Sequence, residues 1–229
     1  MITSEKLGIG NKSIEDFDKN FQNLMEWEAR AQREGYKKVM STRWTQKQCV
    51  EITKDIEIVI SKILNKYLKS DIILDIGCGI GRFFPVLSKF SKKFYGLDIS
   101  PIMLKYAKKK SEDLDAEIIL KRANICSNQF EDNSIDLSFS FTLLMHIVDN
   151  DDFIQAVNEI KRITNPKGLI LICDELSNTN KTRRISLFSI LRSINNIKEY
   201  FKPWSLIDSY KFQCITDTYT IMIFKLLET

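Results

Sequence analysis

The chain has 229 residues, 44% of them hydrophobic and 28% charged, with a formal net charge of +4. Those proportions are ordinary for a globular protein, and the length suits one doubly wound domain or one with a small appendage. No stretch reaches the roughly 18 consecutive apolar residues of a membrane-spanning helix, and the start lacks a secretory pattern, so the expectation is a cytoplasmic protein without a membrane partner.

Two amphipathic helices are expected first, over 13–35 and 45–69. The earlier one carries Phe17, Phe21, Leu24 and Trp27 on one face, which should lie over something apolar. In the later one Cys49, Ile52, Ile56, Val59, Ile60, Ile63 and Leu64 recur near the helical period, a core stripe. Between them runs Tyr36-Lys37-Lys38-Val39-Met40-Ser41-Thr42-Arg43-Trp44.

The richest stretch is Ile73-Leu74-Asp75-Ile76-Gly77-Cys78-Gly79-Ile80-Gly81-Arg82. A short apolar run before a glycine cluster reads as a buried strand, and Arg82 to Leu87 resumes with helical character. Glycines there permit positive φ and a close ligand approach, and helix N-terminal N–H groups point into the same crevice. The dinucleotide fingerprint G-x-G-x-x-G needs a glycine where Arg82 stands, which argues against a nicotinamide-dependent oxidoreductase. About twenty residues on, Phe94 to Ser100 is a second short strand containing Asp98, with Pro101 at a helix start. Asp98 either caps that helix or offers two acceptor oxygens to a ribose diol.

The D-x-G-x-G-x-G form of Asp75 to Gly81 resembles motif I of class I S-adenosylmethionine-dependent methyltransferases, of the small-molecule type. The resemblance covers residues 70 to 175 by motif and the remainder by architecture. It implies that S-adenosylmethionine is the cofactor and S-adenosylhomocysteine the product. It also implies cofactor contacts at Asp75, Gly77, Cys78, Gly79 and Gly81, and at Asp98, Ile99 and Met103. Asn124 and Ile125, after the strand Glu117 to Leu120, would meet the adenine edge; many members have Asp where this chain has Asn124. Phe141 would offer its main-chain carbonyl. By the same resemblance residues 1–44 form a helical lid over a methyltransferase domain of residues 45–229. In that lid Arg43, a bidentate fork, and Tyr36, one hydroxyl, either reach the cofactor carboxylate or are plain surface residues.

Further on, Ile135 to Phe141 reads as a fourth strand. Pro166-Lys167-Gly168 reads as a turn into a fifth, Leu169 to Cys173, ending in Asp174-Glu175. Ligands of doubly wound sheets bind beyond the carboxyl ends of the strands, so the candidates for acting on an acceptor are His146, Asp174 and Glu175. His146 is the chain's one histidine, and it either serves as general base or buttresses its loop. Asp174 and Glu175 either orient or deprotonate the acceptor, or one of them caps a helix.

Residues 176–204 carry six bases, Lys181, Arg183, Arg184, Arg192, Lys198 and Lys202, against Glu199 alone. This excess exceeds that of the whole chain. It falls in a helical-looking insertion, Thr182 to Tyr200. The plain reading is a solvated basic helix face; the other is an anionic partner, either a small acidic metabolite or an RNA backbone. Lacking an aromatic-interleaved platform, the chain favours the small acidic molecule over nucleic acid. Ser205 to Gln213 and Thr218 to Leu226 alternate as a closing antiparallel pair. Five single cysteines without a C-x-x-C pair, three of them in or beside strand-like runs, read as reduced buried thiols with no metal site.

The expected fold is α/β: a doubly wound, mostly parallel seven-stranded Rossmann-like sheet with an antiparallel last strand, plus N-terminal helices. The expected function is methyl transfer to a small acceptor, either an anionic metabolite or a sugar-type one. An RNA methyltransferase and a non-catalytic adaptor retaining the fold are the alternatives.

Overall fold

A computed structural model of the chain describes residues 14–69 and 72–227. Seven strands form one sheet in the order β3-β2-β1-β4-β5-β9-β8. They are β1 (Ile73–Ile76), β2 (Lys93–Asp98), β3 (Glu117–Arg122), β4 (Ile135–Phe141), β5 (Thr164–Glu175), β8 (Ser205–Cys214) and β9 (Asp217–Lys225). A separate hairpin pairs β6 (Arg183–Ser186) with β7 (Ser189–Leu191). The helices are α1 (Ile14–Ala31), α2 (Gln46–Tyr67), α3 (Phe84–Leu87), α4 (Pro101–Ser111), α5 (Asn150–Ile163) and α6 (Ile194–Phe201). This is the expected seven-stranded, mostly parallel Rossmann-like sheet. β1 with β4, β4 with β5 and β2 with β3 run parallel, while β9 runs antiparallel to both β5 and β8.

The chain divides into two compact units. The first comprises residues up to Lys66 together with Cys78–Asn128. It contains β2, β3 and α1 to α4. Of the expected α2 stripe, Cys49, Ile56, Ile60, Ile63 and Leu64 are buried. Thr53 joins them because its hydroxyl donates back to the Cys49 carbonyl at 2.8 Å, so its polar atom is satisfied inside the helix. On α1 the exposed Phe21 and half-buried Leu24 and Trp27 make a weaker face than the pattern promised. Ser13 and the side chain of Phe17 lie outside the described residues. α4 starts as expected at Pro101, but its N-cap is Ser100, whose Oγ accepts from Met103 N at 3.0 Å. Phe84 of α3 meets Phe94 of β2 edge to face at 5.4 Å.

The second unit comprises Tyr67–Gly77 and Gln129–Thr229. β1 is buried along its whole length and β4 nearly so, as strands covered on both faces are, with Asp75, Ser138 and Ser140 buried among the apolar residues. The strand order reverses between β1 and β4, which places the ligand crevice of such a sheet beyond their carboxyl ends. α5 begins at Asp149, whose carboxylate accepts from Asp151 and Asp152 N–H groups. It buries Phe153, Ala156, Val157, Ile160 and Ile163 at helical spacing. Phe201 of α6 stacks on Phe224 of β9 at 4.5 Å, both fully buried.

Two expectations are corrected. Pro166-Lys167-Gly168 does not precede β5 but lies inside it. The register jumps from Ile135 opposite Thr164 to Leu137 opposite Leu169, so the extra residues bulge out. Gly168 is required there because a Cβ would stand 2.5 Å from the Asp136 carbonyl oxygen. The basic insertion is not one helix: its first part is the β6–β7 hairpin and only Ile194–Phe201 is helical. Ser193 starts that helix by accepting from Asn196 N at 3.1 Å, and the residues before it pair across the hairpin instead. All five cysteines are buried, as expected.

Candidate functional site

The turn after β1 is held open by three left-handed glycines: Gly77 at φ 72°, Gly79 at 54° and Gly81 at 72°. L-residues with a Cβ avoid this region, so the alternation of glycines is a backbone requirement. Cys78 N donates to the Leu97 carbonyl at 2.9 Å, tying the turn to β2. Gly79 N then donates to Asp98 Oδ2 at 2.9 Å, and Ser100 N to Asp98 Oδ1, also at 2.9 Å. Asp98 is therefore not the helix cap. Its carboxyl receives one backbone N–H on each oxygen and keeps lone pairs on both. Burial pushes the group up to about 6; the N–H groups of Ser100, Gly79 and Ile99 hold it lower than burial alone would, and the nearby Glu28 adds to the rise. Ser100 Oγ donates to that same Glu28, so α1 is bonded to the start of α4 beside Asp98.

The other residues expected on the cofactor side take definite places. Met103 is buried in the first turn of α4. Ile99 is half-buried between Asp98 and Ser100. Asn124 caps the short 3-10 turn Ile125–Ser127, its Oδ1 accepting from Cys126 N at 3.0 Å, and Ile125 is buried. In the intervening N-terminal segment, Val39 lies against the turn: a Cβ on Gly79 would stand 2.8 Å from its Cγ1. Lys38 helps hold the segment, donating to the Arg33 carbonyl and lying 4.4 Å from the Tyr106 ring centroid. Tyr36 is half-buried and its hydroxyl is raised by burial, with Glu57 adding and Arg82 opposing. Arg43 is exposed and bonds to Ser41 Oγ at 3.3 Å.

In the second unit, Asp75 is buried at 2% exposure in β1. Leu143 lies against Gly77, where a Cβ would meet its Cδ1 at 3.0 Å. Phe141 ends β4, and its carbonyl accepts from the hydroxyl of Thr142 at 2.7 Å. Thr142 itself sits at φ 56°, a strained value for a β-branched residue, at the carboxyl end of the strand where the crevice opens. His146 ends a short 3-10 turn, Leu144–His146. Its Nδ1 stands 2.7 Å from the Phe188 carbonyl oxygen and 3.0 Å from Ser189 Oγ. A carbonyl only accepts, so Nδ1 carries the proton and Nε2 is the basic nitrogen of the neutral ring.

At the carboxyl end of β5 a small cavity of about 10 Å3, room for about one water-sized group such as an amino head, is lined by Asp174, Glu175 and Arg192 among apolar side chains. Asp174 is 2% exposed, and burial pushes its carboxyl up to about 8, with Met145 N–H and the charge of Arg192 opposing. Arg192 is 4% exposed; it donates to the Leu144 carbonyl at 3.1 Å and the Ile147 carbonyl at 2.9 Å, with its guanidinium 3.5 Å over the Phe153 ring. Burial lowers it to about 10. Sequence reasoning missed Arg192 as a site residue, because in a basic run nothing marks the one base that turns inward.

Residues 74–172 match the model of a methyltransferase domain family. A protein of Methanocaldococcus jannaschii is 30% identical over 184 residues, which cover 76% of this chain and 70% of that one. The chain belongs to the class I S-adenosylmethionine-dependent methyltransferases. Phosphoethanolamine N-methyltransferase 1 of Arabidopsis thaliana is 29% identical over 103 residues, 44% of this chain and 20% of that enzyme, so the match spans only a fifth of its length. The fold agrees with a solved S-adenosylmethionine-dependent methyltransferase from Leishmania major, with a TM-score of 0.75 at 16% identity over 90% of this chain and 83% of that one.

The cofactor of this methyltransferase is S-adenosylmethionine, with S-adenosylhomocysteine as product. The residues present fit such a group: a turn with no Cβ at three alternate positions and a half-buried carboxyl with spare lone pairs. Among the described residues no helix is long and apolar enough to cross a membrane.

Proposed function

We propose that the methyltransferase acts on a small metabolite bearing an anionic group, with Asp98 taking the ribose hydroxyls of the cofactor. Gly77, Cys78, Gly79 and Gly81 line its path, Asp75 sets the turn, and Ile99, Met103, Asn124, Ile125 and the Phe141 carbonyl complete its surroundings. Residues 1–44 act as a lid over the domain of residues 45–229, with Tyr36 and Arg43 available to the cofactor carboxylate. The observation that carries the reading is the bonding of the left-handed glycine turn to Asp98, from Gly79 N to Oδ2. A bare tight turn has no need of a strand-end carboxyl bonded to it that keeps lone pairs on both oxygens.

The bound cofactor supplies an electrophilic sulfonium methyl, so the chain need not activate it. What the protein adds is alignment of the acceptor, worth up to roughly 7–11 kcal/mol in well-oriented cases, and removal of a proton, worth about 10²–10⁴-fold. His146, Asp174 and Glu175 fill that second role. An acceptor with an anionic group is supported by the excess of bases over 176–204 and by the phosphoethanolamine acceptor in a relative's name. Calorimetric titration with S-adenosylhomocysteine tests the cofactor side: saturable one-site binding that Asp98→Ala removes is expected. Absence of binding to the unaltered protein overturns the reading.

A further inference from the structure

Asp174 is a buried carboxyl at the end of β5. Its Oδ1 is buried and has no hydrogen-bond partner. The cavity it faces is otherwise walled by Leu144, Met145, Phe153 and Ile190, with Glu175 and Arg192 as its other charged lining groups. Arg192 acts on the carboxyl through its charge but gives Oδ1 no hydrogen bond, because its Nη1 and Nη2 are given to the Leu144 and Ile147 carbonyls and its face to Phe153. A buried carboxyl oxygen left without a donor costs about 1–3 kcal/mol. A ligand that brings a donor recovers that cost, and one that brings a positive charge also pairs the ionised form.

We propose that this cavity receives the amino group of the methyl acceptor, a primary or secondary amine whose N–H donates to Asp174 Oδ1. The inference rests on the methyltransferase reading above and narrows its acceptor. A carboxylate acceptor is disfavoured by Asp174 and Glu175 together. A neutral hydroxyl would satisfy the oxygen but add no positive charge to that of Arg192, which alone does not offset the burial of the carboxyl.

The proton balance favours nitrogen too. An alkylammonium must lose one proton before its lone pair can attack. That proton passes to the Asp174 carboxylate, giving R–NH2 and the neutral carboxylic acid. The N–CH3 bond then forms as the S–CH3 bond breaks, and the electron pair of the broken bond stays on sulfur. The methylated ammonium leaves, and Asp174 returns its proton to solvent. Burial has brought Asp174 to about 8, within reach of an alkylammonium near roughly 10. It remains far from a hydroxyl in the range of water, roughly 16.

The test follows the Asp174 carboxyl by carbon-13 NMR against pH, its signal identified by its loss in Asp174→Asn. Ethylammonium chloride serves as the probe, with sodium chloride at equal ionic strength as the comparison. Ethylammonium is expected to move the titration midpoint down while sodium leaves it in place. An identical midpoint in both salts overturns the proposal. The same sample titrated with S-adenosylhomocysteine separates the two readings. If the nucleoside binds and the midpoint stays put, only the amine assignment falls; if the midpoint moves and the nucleoside does not bind, only the methyltransferase reading falls.

Discussion

Asp98 and Asp174 sit near the carboxyl ends of two strands, β2 and β5, and burial raises both, yet they end in different states. Asp98 receives Gly79 and Ser100 N–H groups at 2.9 Å each and stops at about 6. Asp174 keeps one oxygen without a donor and reaches about 8. The difference lies in the adjoining backbone. A glycine turn and a helix start aim N–H groups at Asp98. Asp174 is followed by no helix start, and the nearest cation, Arg192, is committed to carbonyls. Backbone donors keep a carboxylate charged and ready for hydroxyls; their absence leaves a group poised to take up a proton.

The largest expected break in this contrast is Asp98→Ala. It strips two charge-assisted hydrogen bonds from the turn as well as the proposed ribose contact, each worth about 1.5–3 kcal/mol. Affinity for S-adenosylhomocysteine should fall by about 3–4 kcal/mol, roughly 100- to 1000-fold, by calorimetry. A loss under roughly tenfold would remove Asp98 from the cofactor site.

Next comes Asp174→Asn, whose effect depends on pH. An acid with a raised pKa in the folded state binds its proton more tightly there than in the unfolded chain. Its ionisation therefore costs stability, and that cost grows as pH rises from 3.8 to about 8 and is constant above. Below that window the carboxyl is neutral in both states, and the amide variant gains nothing. Above it, even half of the rise corresponds to about 3 kcal/mol. Melting temperature should then increase by about 6–12 °C in alkaline buffer and by little in acid. Equal changes at both ends of the range would show that Asp174 is not held near-neutral by burial.

Gly81→Ala sharpens the cofactor side at smaller scale. The left-handed backbone costs an L-residue about 1–2 kcal/mol, and the new Cβ would stand 2.6 Å from the Phe84 ring. Stability and S-adenosylhomocysteine affinity should both fall. Unchanged melting would mean the turn relaxes without cost.

The two sites also differ in how far the sequence announces them. The turn was legible because its requirements are local: glycines at alternate positions, an acid before them and a second acid about twenty residues on. Spacing along the chain is itself the geometry there. β1 and β2 were legible for the same reason, as short apolar runs bounded by glycine, proline or polar residues, while β4, with Asp136, Ser138 and Ser140 in it, was read from its place in the family's order. The cavity was only half legible. Asp174 and Glu175 stand out at a strand end, but Arg192 reaches the Leu144 and Ile147 carbonyls across more than forty residues, and no local pattern encodes that. Nor does spacing reveal that Val39 lies on Gly79. The bulge at Asn165–Gly168 was hidden because Pro, Lys and Gly read as a turn whether the strand stops or steps aside.

The smallest expected effect concerns the basic excess itself. Arg183 and Arg184 are exposed on β6, beside a tip where Leu187 is 74% exposed. Of the six bases in that region only Arg192 is buried, and it alone lines the cavity. Neutralising Arg183 and Arg184 to Gln together should change stability by no more than about 0.5 kcal/mol, as surface substitutions do. Methyl transfer to a small amine should keep its rate and its weak dependence on ionic strength, because neither side chain lines the cavity around Asp174. A steep salt dependence that vanishes in the double variant would instead point to a polyanionic acceptor, since release of counterions from a nucleic-acid backbone is what makes binding fall sharply with salt. The hairpin bases and Arg192 would then have exchanged the roles assigned to them.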